Sequence, residues 1–193
     1  MKSVLISIQP KWCELIASGK KTVEGRKTKP KLETPFKVYI YCTNWKDNTY
    51  WKNHYKGKLG KVIGEFVCDS IEVLTERDLF EGMDEISNSR IEEYSCLSID
   101  ELLQYKGSKS EIYGWHISDL VIYDKPRELS EFYAEGDCDC MNCKKCAWFD
   151  RGNGYNVEDD CALAYKGVEL HKSLKPIIRP PQSWCYVESE ERK

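Results

Sequence analysis

The sequence has no long apolar run. A membrane-spanning helix needs about eighteen or more consecutive apolar residues, and no segment of the 193-residue chain approaches this length. The opening residues, which begin Met1-Lys2-Ser3, become polar too quickly for a secretory signal. We therefore expect a cytoplasmic protein without a membrane partner. The length suits one ordinary domain, or one domain with a small appendage.

Acidic residues are scarce in the first third of the chain. Residues 1–62 contain 14 Lys and Arg against 4 Asp and Glu, a net charge of +10, whereas residues 63–193 carry a net charge of −13. A basic segment on an acidic molecule predicts a surface that binds a polyanion. Such binding should weaken with salt, because phosphate contacts release counterions. The alternative is that the charges interleave and cancel in the folded protein.

A helix is predicted from Pro10 to Ser18. Proline suits the first turn of a helix, and the apolar residues Trp12 and Ile16 recur at helical spacing. Gly19 follows at the position where a glycine commonly ends a helix. A short strand from Val4 to Gln9 precedes this helix.

A charged strand is predicted directly after Gly19. From Thr22 onward the residues alternate, so Thr22, Glu24 and Arg26 should share one face of the strand. Lys21 would lie at the strand entrance, within reach of the Glu24 carboxylate. The residues alone leave two interpretations open: a functional cluster, or an ordinary surface ion pair of little energetic weight.

Further elements follow from the periodicity of the remaining sequence. Phe36–Cys42 is expected to be a half-buried strand, and the β-rich run from Lys61 to Val73 is expected to bulge at Gly64. Ser98 to Glu101 has the pattern of a capping box that begins a helix. Residues 111–124 are predicted to form a pair of strands.

A polar loop between residues 44 and 60 combines aromatic and basic side chains. Aromatic faces stack on unpaired bases and lysines neutralise phosphates, which is how single-stranded nucleic acid is held with little sequence preference. Trp45 is our candidate for such a base contact, although some of these aromatics must cap the core. The residues concerned are Trp45, Tyr50, Trp51, His54, Tyr55, Lys46, Lys52, Lys56 and Lys58.

Cysteines are concentrated at the C-terminal end, where six of the ten occur. Cys143 and Cys146 form a C-x-x-C step, Cys138 or Cys140 lies just ahead of it, and Cys161 lies fifteen residues beyond Cys146. Four thiolates at this spacing suit a structural zinc site, which would make the folding of this lobe depend on the metal. An iron–sulfur cluster is a second possibility, although the spacing fits it less well than it fits zinc. Free thiols without a metal are the third possibility.

The other cysteines lie apart from this cluster. Cys13, Cys42, Cys68 and Cys96 are scattered through predicted elements, so we expect buried thiols that behave as small apolar groups. Cys185 belongs to an alternating segment that predicts a final strand packed back on the rest of the fold. It is expected to be a packed thiol and not a metal ligand.

The helix stop and charged strand resemble the core of the ASCH domain, a PUA-like β-barrel family with the pattern G-x-K-x-x-E-x-R. Gly19, Lys21, Glu24 and Arg26 fill this pattern. Three further family-like segments occur in order, and the resemblance covers about residues 1–130. They are Leu5-Ile6-Ser7-Ile8-Gln9-Pro10, Gly60-Lys61-Val62-Ile63-Gly64-Glu65-Phe66, and Tyr113-Gly114-Trp115-His116-Ile117 ahead of Lys125-Pro126.

The resemblance implies an α+β chain with a PUA-like barrel over residues 1–130 and a short helix after the first strand. Beyond the resemblance, the cysteine spacing predicts a zinc-binding extension over residues 131–193. The resemblance also implies RNA or a modified nucleoside as the ligand, in a cleft lined by Lys21, Thr22, Glu24 and Arg26. His116 lies in the strand that borders the cleft of the family, and it is therefore our first choice among the three histidines for a catalytic role.

Catalysis remains open at this stage. Some ASCH proteins resemble small amidohydrolases that use a lysine and a threonine of this motif, but here Glu24 occupies the threonine position, so that mechanism does not transfer intact. A ribonuclease would instead use Lys21, Glu24, Arg26 and His116 to handle the phosphate and the 2′-hydroxyl proton. A third possibility is a regulatory module in which the C-terminal lobe binds a protein partner.

Overall fold

A computed structural model describes residues 2–44, 53–75, 92–136 and 173–188. Trp45 and five of the C-terminal cysteines, Cys138 to Cys161, therefore lie outside the described residues. In chain order the elements are β1 (Lys2–Ile8), α1 (Pro10–Ala17), β2 (Val23–Arg26), β3 (Phe36–Cys42), β4 (Lys61–Cys68), β5 (Ile71–Thr75), α2 (Ile99–Lys106), β6 (Glu111–His116), β7 (Ser118–Arg127), a 3-10 turn (Leu129–Glu131), β8 (Tyr133–Gly136), β9 (Ser173–Pro176) and β10 (Trp184–Glu188).

The predicted boundaries of the first helix are confirmed. Pro10 occupies its first turn, and Gly19 follows the C-cap residue with a φ of 72°, a left-handed conformation that glycine adopts without strain. The Gly19 N–H donates to the Ile16 carbonyl, and the Lys20 N–H donates to the Leu15 carbonyl. This pair of bonds is a Schellman motif, and it delivers Lys21 to the start of the next strand.

The strands form two open sheets. The larger has the order β7-β4-β3-β1-β10-β8-β9, in which β1 and β3 are parallel, and the smaller has the order β2-β6-β5. Within the described residues the architecture is therefore α+β with mixed sheets, and it shows no closed barrel. None of the helices in these ranges is long and apolar enough to cross a membrane.

Three expectations about the strands need correction. Residues 111–124 form two strands as predicted, but these do not pair with each other, because β6 lies in the smaller sheet while β7 pairs with β4 in the larger one. The strand β3 is buried on both faces, not on one: Val38 and Ile40 pack in one apolar cluster, and Tyr39 and Tyr41 pack in another. Its central place between β1 and β4 explains this burial. The run that starts at Lys61 is two strands, β4 and β5, which lie in different sheets.

The predicted irregularity at Gly64 is confirmed. The register of β4 shifts between Val62 and Gly64 against both of its neighbours, β3 and β7. A Cβ at Gly64 would lie 2.4 Å from the backbone oxygen of Val121. Glycine is therefore required here by the close approach of β7.

The helix α2 begins with the predicted capping box. The Ser98 hydroxyl accepts from the Glu101 N–H, and the Glu101 carboxylate accepts from the Ser98 N–H. Leu102 is then buried against Leu74 and Ile112 of the smaller sheet. The helix consequently lies against the sheet that contains the charged strand β2.

The last strand packs back as expected. Its residues Trp184 to Glu188 pair antiparallel with β1, and Cys185 packs against the second apolar cluster. Burial raises the pKa of the Cys185 thiol to about 11, which disfavours the thiolate that a metal requires. Cys13, Cys42 and Cys68 are fully buried, whereas Cys96 and Cys185 are only partly buried.

Candidate functional site

The three charged residues of the motif form one buried cluster. Lys21, Glu24 and Arg26 are only 2%, 7% and 6% exposed, so the alternative of an exposed surface ion pair does not apply. Lys21 Nζ lies 3.5 Å from Glu24 Oε2, and Arg26 Nη2 lies 2.9 Å from Glu24 Oε1. One carboxylate thus lies between two cations, and the cluster has a net charge of +1.

The Lys21 ammonium has three partners. Its Nζ donates a hydrogen bond of 2.5 Å to the Ser95 carbonyl, in addition to its ion pair with Glu24. The ammonium also lies 5.2 Å from the centre of the Trp12 ring, within the range of a cation–π contact. A buried ammonium needs such partners, because desolvation of an unpaired charge is costly.

Arg26 joins segments that are distant in the sequence. Its Nη2 donates to the Ser7 carbonyl at 2.7 Å, and its Nη1 lies 3.4 Å from the Ser183 carbonyl and 3.3 Å from the Ser183 hydroxyl. The Ser7 hydroxyl in turn donates to the Pro181 carbonyl at 2.7 Å. Arg26 Nε is buried and has no hydrogen-bond partner among the described residues.

A cavity of about 620 Å³ opens above this cluster, and we call it the motif cavity. One side is contributed by the end of β1 and the start of α1, and another by the segment that leads into β10. Two aromatic side chains, Trp12 and Tyr105, also line it. The full lining is Ser7, Ile8, Gln9, Trp12, Lys21, Glu24, Gly25, Arg26, Thr43, Leu97, Tyr105, Pro180, Pro181, Gln182 and Ser183.

Tyr105 stands at the edge of this cavity. Its side chain is on α2 and is 37% exposed, and burial of part of the ring raises the pKa of its hydroxyl. The phenol is therefore neutral at physiological pH, and it can both donate and accept a hydrogen bond. A neutral aromatic face next to buried cations suits a ligand with an unpaired base.

His116 does not line the motif cavity, and a catalytic role for it stays a prediction. It pairs with Val23 in the sheet register, and its side chain lines a second cavity of about 320 Å³ together with Glu72 and Ser95. Its Nε2 lies 3.7 Å from Glu72 Oε2. Alternation along β2 explains the separation: Val23 faces the second cavity, whereas Glu24 and Arg26 face the motif cavity.

Thr22 is also absent from the lining of the motif cavity. It precedes the first residue of β2, and its backbone bonds to the Tyr94 carbonyl and the Ile117 N–H. The positions of Trp45 and of Cys138, Cys140, Cys143, Cys146 and Cys161 fall outside the described ranges. Within those ranges, no group of three or more His, Cys, Asp or Glu side chains could hold a metal ion.

Several lining residues were not predicted as site residues. From the sequence, Trp12 is only an apolar position of the helix. The Pro180 to Ser183 segment is only the part of the chain that leads into the final strand. Ser95, the buried partner of Lys21, carries no signal in its local sequence. These residues were not predicted because they come from distant parts of the sequence; Arg26 and Ser183, for example, are separated by 157 residues.

Comparison with known proteins agrees with this architecture. The sequence model of the ASCH domain family matches residues 6–127. The crystal structure of a serine-to-alanine mutant of ZmASCH from Zymomonas mobilis is similar in fold, with a TM-score of 0.55 and 18% identity, and it covers 96% of this chain and 88% of that one.

Two other crystal structures of the Zymomonas mobilis protein have TM-scores of 0.49. The ASCH protein is 23% identical over 66% of this chain and 73% of that chain, and its tyrosine-to-phenylalanine mutant is 22% identical over 67% and 77%. No curated protein matches the chain significantly. The family match spans well over half of the residues and includes the whole charged motif, and the chain therefore belongs to the ASCH domain family.

Proposed function

We propose that this ASCH domain binds one nucleoside unit in the motif cavity, either as part of RNA or as a free modified nucleoside. The observation that carries the proposal is the meeting of Lys21, Glu24 and Arg26 beneath one open cavity. The family is a PUA-like fold often linked to RNA binding, which agrees with this ligand class.

The size of the cavity supports a ligand of this kind. Pockets for small molecules typically enclose about 300–1,000 Å³, and the motif cavity, at about 620 Å³, lies within that range. A nucleoside presents a flat base and several hydrogen-bonding groups. The rings of Trp12 and Tyr105 can contact the base, and the polar groups of the cavity can form hydrogen bonds with the polar groups of the nucleoside.

The charge of the cluster supports the same ligand. Glu24 can accept hydrogen bonds from the edge of a base, while the net positive charge favours a neighbouring phosphate.

A hydrolase is supported less well. Glu24 is already paired with both Lys21 and Arg26, which limits its use as a base towards water. The proposed proton carrier His116 lines a different cavity. Recognition therefore fits the geometry better than turnover of RNA or of a modified nucleoside. A protein partner at the C-terminal lobe concerns residues outside the described ranges.

The proposal predicts that Tyr105→Ala weakens binding of single-stranded RNA. Loss of one base–aromatic stack corresponds to about 1–3 kcal/mol, or roughly a 5- to 150-fold rise in Kd. Fluorescence anisotropy with a labelled oligonucleotide, and calorimetry with a panel of modified nucleosides, would separate the two sources of the ligand. Both should weaken in the variant if the base enters the cavity.

Tyr94→Ala is the matched control for this experiment. Tyr94 is 45% exposed, similar to Tyr105, but it lines the second cavity and not the motif cavity. We expect its RNA affinity to equal that of the wild type. Equal affinity in all three proteins would remove the motif cavity as the binding site.

The zinc site remains a sequence-based proposal. We expect about one zinc per chain and no iron, since four of Cys138, Cys140, Cys143, Cys146 and Cys161 can supply tetrahedral thiolates. Elemental analysis of purified protein measures this directly. Chelation should then make the C-terminal segment sensitive to protease, because zinc lobes of this size depend on the metal for folding. Stoichiometric iron, or no metal, would contradict the proposal.

A further inference from the structure

Three lysines lie at alternate positions directly after the strand β2. β2 ends at Arg26, and the chain then continues through Lys27, Lys29 and Lys31, which we call the lysine ridge. All three side chains are exposed. From Lys27 to Lys31 the backbone can span at most about 14 Å, which matches a short run of phosphates at about 3.4 Å each along a stacked strand.

The ridge begins at the rim of the motif cavity. Lys27 Nζ lies 5.0 Å from the centre of the Tyr105 ring, and Tyr105 lines that cavity. Thr28 accepts a hydrogen bond of 3.0 Å from the indole N–H of Trp184, the residue after Ser183 of the cavity wall. A strand with one nucleotide in the cavity could therefore continue along the ridge without a gap.

Aromatic side chains hold the ridge in place. Lys29 Nζ lies 5.4 Å from the centre of the Tyr113 ring, and the Lys31 N–H donates to the Tyr186 hydroxyl at 2.7 Å. Contacts of lysine with aromatic faces order the side chain while its charge stays in solvent. The cations of Lys27 and Lys29 are thus positioned without being neutralised, whereas the bond of Lys31 fixes its backbone.

The three ridge lysines lack an acidic partner within the described residues, in contrast to lysines that are paired with a glutamate. Lys2, Lys37 and Lys61 each pair with a glutamate within 3.3 Å. Lys27, Lys29 and Lys31 make no ion pair with any residue in the described ranges.

We infer that the lysine ridge binds the phosphates of single-stranded RNA whose neighbouring nucleotide lies in the motif cavity. This inference rests on the proposed function and makes it narrower. It identifies the ligand as a polynucleotide and not as a free nucleoside. A row of three unneutralised cations that begins at the cavity rim has no role in binding a ligand without a phosphate chain.

The test compares wild type with the triple variant K27Q/K29Q/K31Q of the full chain. The probes are an oligouridylate of about ten nucleotides, a length within the usual site sizes, and uridine 5′-monophosphate. We expect the variant to bind the oligonucleotide about 10- to 100-fold more weakly at low salt. The slope of log K against log salt should fall by about 2, because about three phosphate contacts are lost. Affinity for the mononucleotide should not change.

The control variant K2Q/K125Q/K175Q removes the same charge elsewhere. Lys2 lies at the start of β1, and Lys125 and Lys175 lie on β7 and β9, the two edges of the larger sheet. Its oligonucleotide affinity should stay within about threefold of wild type, given that distant surface charges are screened.

Three outcomes would overturn the inference. Unchanged oligonucleotide affinity and salt slope in the ridge variant would exclude the ridge while leaving the cavity intact. An equal loss of affinity for a DNA duplex would indicate a general polyanion surface. An equal loss in the control variant would assign the effect to net charge. If the oligonucleotide depends on the ridge but not on Tyr105, the proposed function fails and the ridge remains.

Discussion

Glu24→Gln is expected to lower the free energy of unfolding by about 3–5 kcal/mol, the range found when one partner of a buried ion pair is removed. The carboxylate lies between Lys21 and Arg26, and all three groups are more than nine-tenths buried. Without its charge, two buried cations repel each other with no anion between them. Urea denaturation followed by circular dichroism measures the change.

A double-mutant cycle separates this electrostatic effect from a loss of packing. Lys21→Met keeps the aliphatic stem and removes one cation, so Lys21→Met with Glu24→Gln returns the cluster to its original net charge of +1. The double variant should be more stable than the sum of the two single effects predicts, by about 1–3 kcal/mol. Glu14→Gln, on the exposed side of α1, should change stability by less than about 0.5 kcal/mol.

The result would also show which role the motif has in this chain. A cost below about 1 kcal/mol for Glu24→Gln would mean that solvent in the cavity screens the cluster. The motif charges could then interact with ligands and would contribute little to the free energy of unfolding. A cost in the expected range would mean that the same residues hold the fold together and shape the cavity. Binding experiments should in that case avoid them and use Tyr105 or the lysine ridge.

Gly64→Ala is expected to lower the free energy of unfolding by about 2–3 kcal/mol, the cost typical of overpacking a well-packed site. The new Cβ would lie 2.4 Å from the Val121 backbone oxygen, and also 3.2 Å from the Ile122 Cα. Both are backbone atoms, so β7 must shift to make room. The shift would weaken the pairing of β4 with β7 at the edge of the larger sheet.

Gly25→Ala is the matched control, because it makes the same change inside another strand. A Cβ at Gly25 would meet only Leu102 Cδ2, at 4.0 Å, which is an ordinary contact. We expect stability to change by less than about 1 kcal/mol. Equal effects at the two glycines would show that the close approach of β7 is not what requires Gly64. Thermal and urea denaturation of both variants would decide this.

Local features of the fold could be predicted from the sequence because their causes are local. Pro10 and Gly19 determine the ends of α1, and Ser98 with Glu101 determines the start of α2. Lys21 lies at the strand entrance, only three residues before Glu24, so its long side chain can reach the carboxylate. In each case the interacting groups lie within a few residues, so propensity, capping and periodicity are sufficient.

Burial and sheet membership could not be predicted in this way. β6 and β7 are adjacent in the sequence, separated only by Ile117, and both alternate, yet they join different sheets. His116 and Glu24 lie on paired strands, yet they face different cavities. These features depend on which face of each strand meets the core, and distant segments decide that.

The sequence by itself determined the helix stop, the charged strand that follows it, the family and the excess of basic charge in the first third. Only the tertiary structure decided that the motif charges are buried and that Ser7, Ser95 and Ser183 complete their contacts. It also decided that His116 lines the second cavity and not the motif cavity. The physical reason is that the burial of a charge depends on partners brought together by long-range packing, here across as many as 157 residues.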